Sequence, residues 1–178
     1  FRARVFGEPM VPTGPTSLEE NRDLAQALSA FLAGRAKEDF TPLTDFLDRH
    51  PTSPWRVSLL TNLGLAYRQA GYFTRALSAW QEAWMLGKDE AEPRAKATAE
   101  RAFTELLHLN MLFGRHRVLE TLLDEVEGRD IGGSSGEKIS WAKRGLWLLK
   151  NKHDLAIPSG PTALDRILRE TIAYTRER

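Results

Sequence analysis

The stretch from residue 60 to 86, LTNLGLAYRQAGYFTRALSAWQEAWML, leaves this chain few folds to choose from. Leu60, Leu63 and Tyr67 recur at helical spacing, and Ala76, Leu77 and Trp80 do so again after Gly71. Two helices with a turn at Gly71 follow, because glycine reaches left-handed backbone angles at little steric cost. Gly64 and Ala76 are small enough to let the two helices approach closely while Leu63, Tyr67, Leu77 and Trp80 fill the seam.

The pattern extends in both directions. Phe40, Leu43 and Leu47 stand 33 residues before Phe73, Ala76 and Trp80, and Pro42 is tolerated in the first turn of that earlier helix, where its missing N–H has no intrahelical role. Asp39 or Thr41 can cap it, and Pro51 and Pro54 end it. Ser17 and Glu20 form an S-x-x-E capping box ahead of Leu24, Ala25, Leu28, Phe31 and Leu32, which predicts a first helix over about 18–33. On the other side, Gly114 repeats the role of Gly71, with Phe103, Leu106 and Leu107 before it and Leu119, Leu122, Leu123 and Val126 after. The extra residues of this unit sit in KDEAEPRAK, so a longer helix is expected from near Pro93. IGGSSG reads as a polar connection, followed by a helix over about 137–150 whose buried face is Ile139, Trp141, Ala142, Leu146 and Leu149. Residues 1–16, with three prolines and two glycines before Thr16, read as an extended lead-in expected to pack along the first helix.

Leu60, Leu63, Gly64 and Tyr67, with Ala76 and Trp80, resemble the tetratricopeptide repeat pattern W-x2-L-G-x2-Y followed by A-x3-F, with Gly87 and Lys88 where that family has proline. The resemblance implies an all-α, right-handed stack of antiparallel helix hairpins over residues 17–150, ending in a capping helix or a fourth unit. It also implies a concave groove lined by the first helix of each hairpin, which in that family binds peptides. In this register the groove would present Ser58, Thr61, Asn62, Leu65 and Arg68 from one unit and Arg101, Glu105 and His108 from the next. Asn62 and Arg101 match two positions of a clamp that some members use to hold a C-terminal carboxylate; Leu28, Leu32 and Glu105 depart from that clamp.

Residues 151–178 resemble something else. Ser159, Gly160, Pro161, Ala163 and Leu164 match the C-G-P-x-[AS]-L nucleophile text of cysteine peptidases similar to the bacteriocin-processing (C39-like) family, with serine in the cysteine's place. The resemblance implies a parent peptidase whose nucleophile position is Ser159, inactive here because serine needs a base to activate it. The plainer reading makes Ser159 the cap of a last helix over about 162–174. The segment is thus either the start of a truncated peptidase domain or a C-terminal capping helix.

Composition narrows function further. Lys and Arg number 25 against 24 Asp and Glu, so net charge gives no reason to expect nucleic acid or an anionic membrane as partner. No run of 18 apolar residues suggests a membrane-spanning helix, and a soluble chain of unassigned compartment is expected. The opening lacks Met and an apolar signal core, as an internal fragment or processed product would. Cysteine is absent, and His50, His108, His116 and His153 are scattered, so neither a metal site nor a cofactor is expected. Trp80, Trp84, Trp141 and Trp147 are expected to be mostly core. The reading is a non-catalytic protein-interaction or docking module, holding a protein or peptide in its groove or an adjacent domain of the same chain. The alternative is a fragment of a C39-like cysteine peptidase.

Overall fold

A computed structural model describes residues 5–34 and 39–150, apart from the side chain of Leu149. Among these residues there are seven helices: α1 (Leu18–Ala33), α2 (Thr41–Arg49), α3 (Arg56–Gln69), α4 (Phe73–Gly87), α5 (Pro93–Leu112), α6 (His116–Glu125) and α7 (Gly133–Lys150). They pack pairwise as α1 on α2, α3 on α4 and α5 on α6, with α4 also against α5, α3 against α5, and α7 across α5 and α6.

The helix boundaries have local causes. The Ser17 hydroxyl accepts the Glu20 backbone N–H at 3.1 Å to start α1, and the Glu92 carboxylate accepts the Ala95 N–H at 2.7 Å to start α5, with Pro93 in its first turn. α3 and α5 end in the same way. Gly71 and Gly114 take positive φ values of 82° and 64°, and the next N–H reaches back to close the helix, Tyr72 to the Tyr67 carbonyl at 2.8 Å and Arg115 to the Asn110 carbonyl at 3.0 Å. The α3–α4 and α5–α6 hairpins therefore reverse direction through one turn geometry.

Small residues set how closely the helices pack. A Cβ at Gly64 would lie 2.2 Å from Trp80 Nε1, so α3 and α4 approach only because that atom is missing. Trp80 Nε1 in turn donates to the Thr61 carbonyl at 3.2 Å, which satisfies the one polar group of a fully buried indole. Gly87 does the same between α4 and α5, where a Cβ would meet Ala99 Cβ at 2.6 Å. The core runs continuously from Leu24 and Phe46 through Leu63, Trp80 and Trp84 to Phe103 and Leu119.

Three expectations require correction. The tetratricopeptide assignment does not stand: the paired helices have 16 and 9, 14 and 15, and 20 and 10 residues, and α1 does not back onto α3 as α3 backs onto α5. One repeated unit of about 34 residues does not describe them; an all-α domain of packed hairpins, consistent with a helical-repeat arrangement, does. The C39-like peptidase reading is overturned as well. A papain-like fold is built on a sheet, the described residues contain no strand, and the chain has no cysteine. Ser159 and the rest of residues 151–178 lie outside the described residues.

The third correction concerns α7. It starts at Gly133, inside the run taken for a connection, its first turn closed by the Gly136 N–H on the Gly132 carbonyl at 3.2 Å. Ile139, Ala142 and Leu146 are buried, but Trp141 is 65% exposed and Trp147 57%. These two indoles are not core. The α7 face turned toward α5 and α6 takes only a narrow stripe of side chains, and Trp141 falls beside it.

Candidate functional site

α1, α3 and α5, together with residues 5–8 of the lead-in, line one cleft of about 760 Å³, whose helical walls carry Phe31, Asn62, Leu65, Arg68, Arg101 and Glu105. Five of the eight groove positions expected from the sequence, Asn62, Leu65, Arg68, Arg101 and Glu105, meet there. His108 is exposed and lies away from it. Ser58 and Thr61, also expected in the groove, are buried: Ser58 Oγ donates to the Trp55 carbonyl at 3.2 Å, and Thr61 Oγ1 donates to the Val57 carbonyl at 2.8 Å. A helix whose hydroxyls return to their own preceding turn can bury them without a further partner.

One wall of the cleft is itself a peptide, the chain's own lead-in, through Val5, Phe6, Gly7 and Glu8. Residues 5–16 form no helix or strand and bend at 6–8. The Glu8 backbone N–H donates to Asn62 Oδ1 at 3.2 Å, and Asn62 Nδ2 donates back to the Glu8 carbonyl at 3.3 Å. One carboxamide thus satisfies both main-chain groups of a residue 54 positions away, as a neighbouring strand would. Asn62 Nδ2 also donates to the Ser58 carbonyl at 2.9 Å, which fixes its rotamer, and it is 2% exposed.

Side chains of the lead-in add contacts on both sides. Phe6 lies 5.8 Å from Phe31 of α1, and Phe31 stacks on Phe40, whose edge meets Tyr67. Glu8 Oε1 lies 3.0 Å from Arg101 Nε of α5. Further along, the Thr13 N–H and hydroxyl both donate to the Pro54 carbonyl, and Asn21 Nδ2 donates to Thr16. The lead-in was expected along the first helix; instead it bridges α1, α3 and α5.

Electrostatics favour an acid at this place. Glu105, buried on α5, pairs with Arg68 of α3, with Arg101 Nη1 at 3.0 Å and with Lys138 of α7 at 3.8 Å. Three cations therefore surround one built-in carboxylate, and Glu8 supplies a second. These groups donate and accept hydrogen bonds and carry charge, which suits them to recognition. A second cleft, about 580 Å³, lies between α2, α3 and α4 and is lined by Thr41, Tyr67, Arg75 and Glu82. Burial pushes the Tyr67 phenol above its usual range, and the nearby Arg75 guanidinium partly offsets this.

Sequence reasoning missed Phe6, Glu8 and Met10, because a non-periodic segment rich in proline offers no spacing from which to infer a docking site. The one available signal was an acidic residue between Phe6 and Met10 in an otherwise uncharged run from Val5 to Thr16. Compared with known proteins, no family model, no curated protein and no solved structure matches the chain.

Proposed function

We propose that this helical domain is a protein-interaction module whose cleft between α1, α3 and α5 takes a non-helical peptide segment, from a partner protein or from a neighbouring domain. One observation carries the reading: Asn62 holds both main-chain groups of Glu8. Main-chain hydrogen bonds provide affinity that does not depend on sequence, and the flanking pockets and charges provide selection. Arg68, Arg101 and Leu65 line the route the peptide takes, and Glu105 orients the two arginines.

Selection of the full chain against a displayed random-peptide library tests this. Enriched peptides are expected to lose binding to Asn62→Ala and Arg101→Ala chains whose helical circular dichroism is unchanged. Equal binding to the wild-type and Asn62→Ala chains would remove the cleft as the binding site.

A further inference from the structure

The lead-in does more than wall one side of the cleft; its fit shows what the neighbouring helices select. Arg101 Nε is buried and makes no aligned hydrogen bond, and the charge it faces is Glu8 Oε1 at 3.0 Å. Phe6 reaches the aromatic row formed by Phe31, Phe40 and Tyr67. Between the two, Gly7 is unconstrained, since a Cβ added there would meet nothing within 4 Å. The backbone at the acidic position is held by Asn62 whatever side chain it carries.

We propose that the cleft recognises, in a partner protein, a non-helical segment with an aromatic residue, one free position and an acidic residue. Residues 5–10 of this chain are a built-in copy of that ligand and cover its contacts on Asn62, Arg101 and Phe31 at the edge of the cleft until displaced. This rests on the peptide-cleft reading above and adds the chemistry of the ligand and the competition. A short tether puts the lead-in at an effective concentration on the order of millimolar, so a free partner must compete against it. Its apparent affinity falls in proportion to the fraction of chains whose cleft is open. The built-in copy is beatable. Its ion pair is poorly aligned, and Met10 offers Asn62 Nδ2 only a thioether at 3.9 Å. A carboxylate meeting Arg101 squarely gains what Glu8 does not.

The test uses the full chain and a fluorescein-labelled synthetic peptide of residues 5–13, followed by fluorescence anisotropy. A chain carrying Phe6→Ser and Glu8→Lys should bind the probe about tenfold more tightly than wild type, because its own lead-in competes poorly. On that opened chain, a Gly7→Ala probe should bind as well as the parent probe, while Phe6→Ser and Glu8→Gln probes should each bind about tenfold more weakly. A Glu8→Lys probe should recover binding on a chain that carries Phe6→Ser, Glu8→Gln and Arg101→Glu, whose own lead-in has no cation to set against the new carboxylate. Should the double substitution unfold the chain, Glu8→Gln alone, which keeps Phe6 packed, decides the matter by a gain of about threefold over wild type. The proposal is overturned if the opened, folded chain binds no tighter than wild type, or if probe binding ignores Phe6 and Glu8. Library peptides that bind through Asn62 while this probe does not would leave the peptide cleft standing and remove only its selectivity. Failure of both would remove both.

Discussion

α3 and α7 differ in a way their compositions do not suggest. In α3, Ser58, Thr61 and Asn62 are buried along with Leu59, Leu60 and Leu63, whereas α7 exposes two tryptophans. The difference is the number of neighbours: α3 is enclosed by α4, α5 and the lead-in, while α7, among the described residues, packs against α5 and α6. Position in the stack, rather than a residue's own polarity, decides what is buried. Polar groups become tolerable inside when the preceding helical turn or an adjacent strand of chain satisfies them.

The strongest way to break this comparison is to remove the contact that makes α3 interior. Trp80→Ala deletes a fully buried indole and should cost about 3–5 kcal/mol in urea unfolding. A cost near zero would mean that α4 does not enclose α3. Gly64→Ala probes the same seam from the other side. It places a methyl group 2.2 Å from Trp80 Nε1 and should cost about 1–3 kcal/mol by forcing the helices apart. Asn62→Ala comes next. It leaves the Glu8 N–H and carbonyl to water and should cost about 1 kcal/mol, while raising hydrogen exchange at the Glu8 amide and leaving α5 unaffected.

How much of this could be read from the sequence depended on whether the cause was local. The Ser17 cap, the Pro93 start and the turns at Gly71 and Gly114 each follow from a residue acting on its nearest backbone groups. Gly64 opposite Trp80 was also legible, because glycine at helical spacing facing an aromatic implies close approach. Asn62, Leu65, Arg68, Arg101 and Glu105, groove positions in the tetratricopeptide register, line one cleft, although that register does not describe the stack. Contacts between segments with no shared period were not legible. Nothing in PMVPTG indicates that the chain before it crosses α3, and nothing in the α7 spacing tells Trp141 from Ile139 without knowing which face of α7 meets α5 and α6. The tetratricopeptide resemblance failed for a related reason: six matching residues in one hairpin constrain that hairpin, but not the lengths of its neighbours.

A smaller effect lies on α5, the helix shared by both regions. Burial raises the Glu100 carboxyl above the ordinary carboxylate range, Lys96 at 3.8 Å lowers it, and Asp130 adds to the rise. The folded chain therefore holds this proton to higher pH than the unfolded chain does. Between the ordinary and the raised value the native state binds more protons, so stability falls as pH rises through that window and levels off above it. Below the window both states are protonated and the group contributes nothing. Glu100→Gln should flatten this portion of the pH–stability curve, measured by thermal unfolding at a series of pH values, and its advantage over wild type should grow with rising pH. An advantage that instead grew on acidification would show that Lys96 outweighs burial.

The smallest expected effect is the most direct test of what sets the two helices apart. Trp141→Ser exchanges a large apolar side chain for a small polar one, a change that in the core costs several kcal/mol. At 65% exposure little of the indole is removed from water on folding, so the change should stay within about 0.5 kcal/mol. Serine is a poorer helix former than leucine or alanine but close to tryptophan, so propensity adds almost nothing. Equilibrium unfolding of this variant beside Trp84→Ser makes the contrast internal to one protein, because Trp84 packs at 4.4 Å against Phe103 and donates to Glu125 at 3.1 Å. If Trp141→Ser cost more than about 1 kcal/mol, the surface around it would be covered in the folded chain. α7 would then be an interior helix like α3, and enclosure would no longer distinguish them.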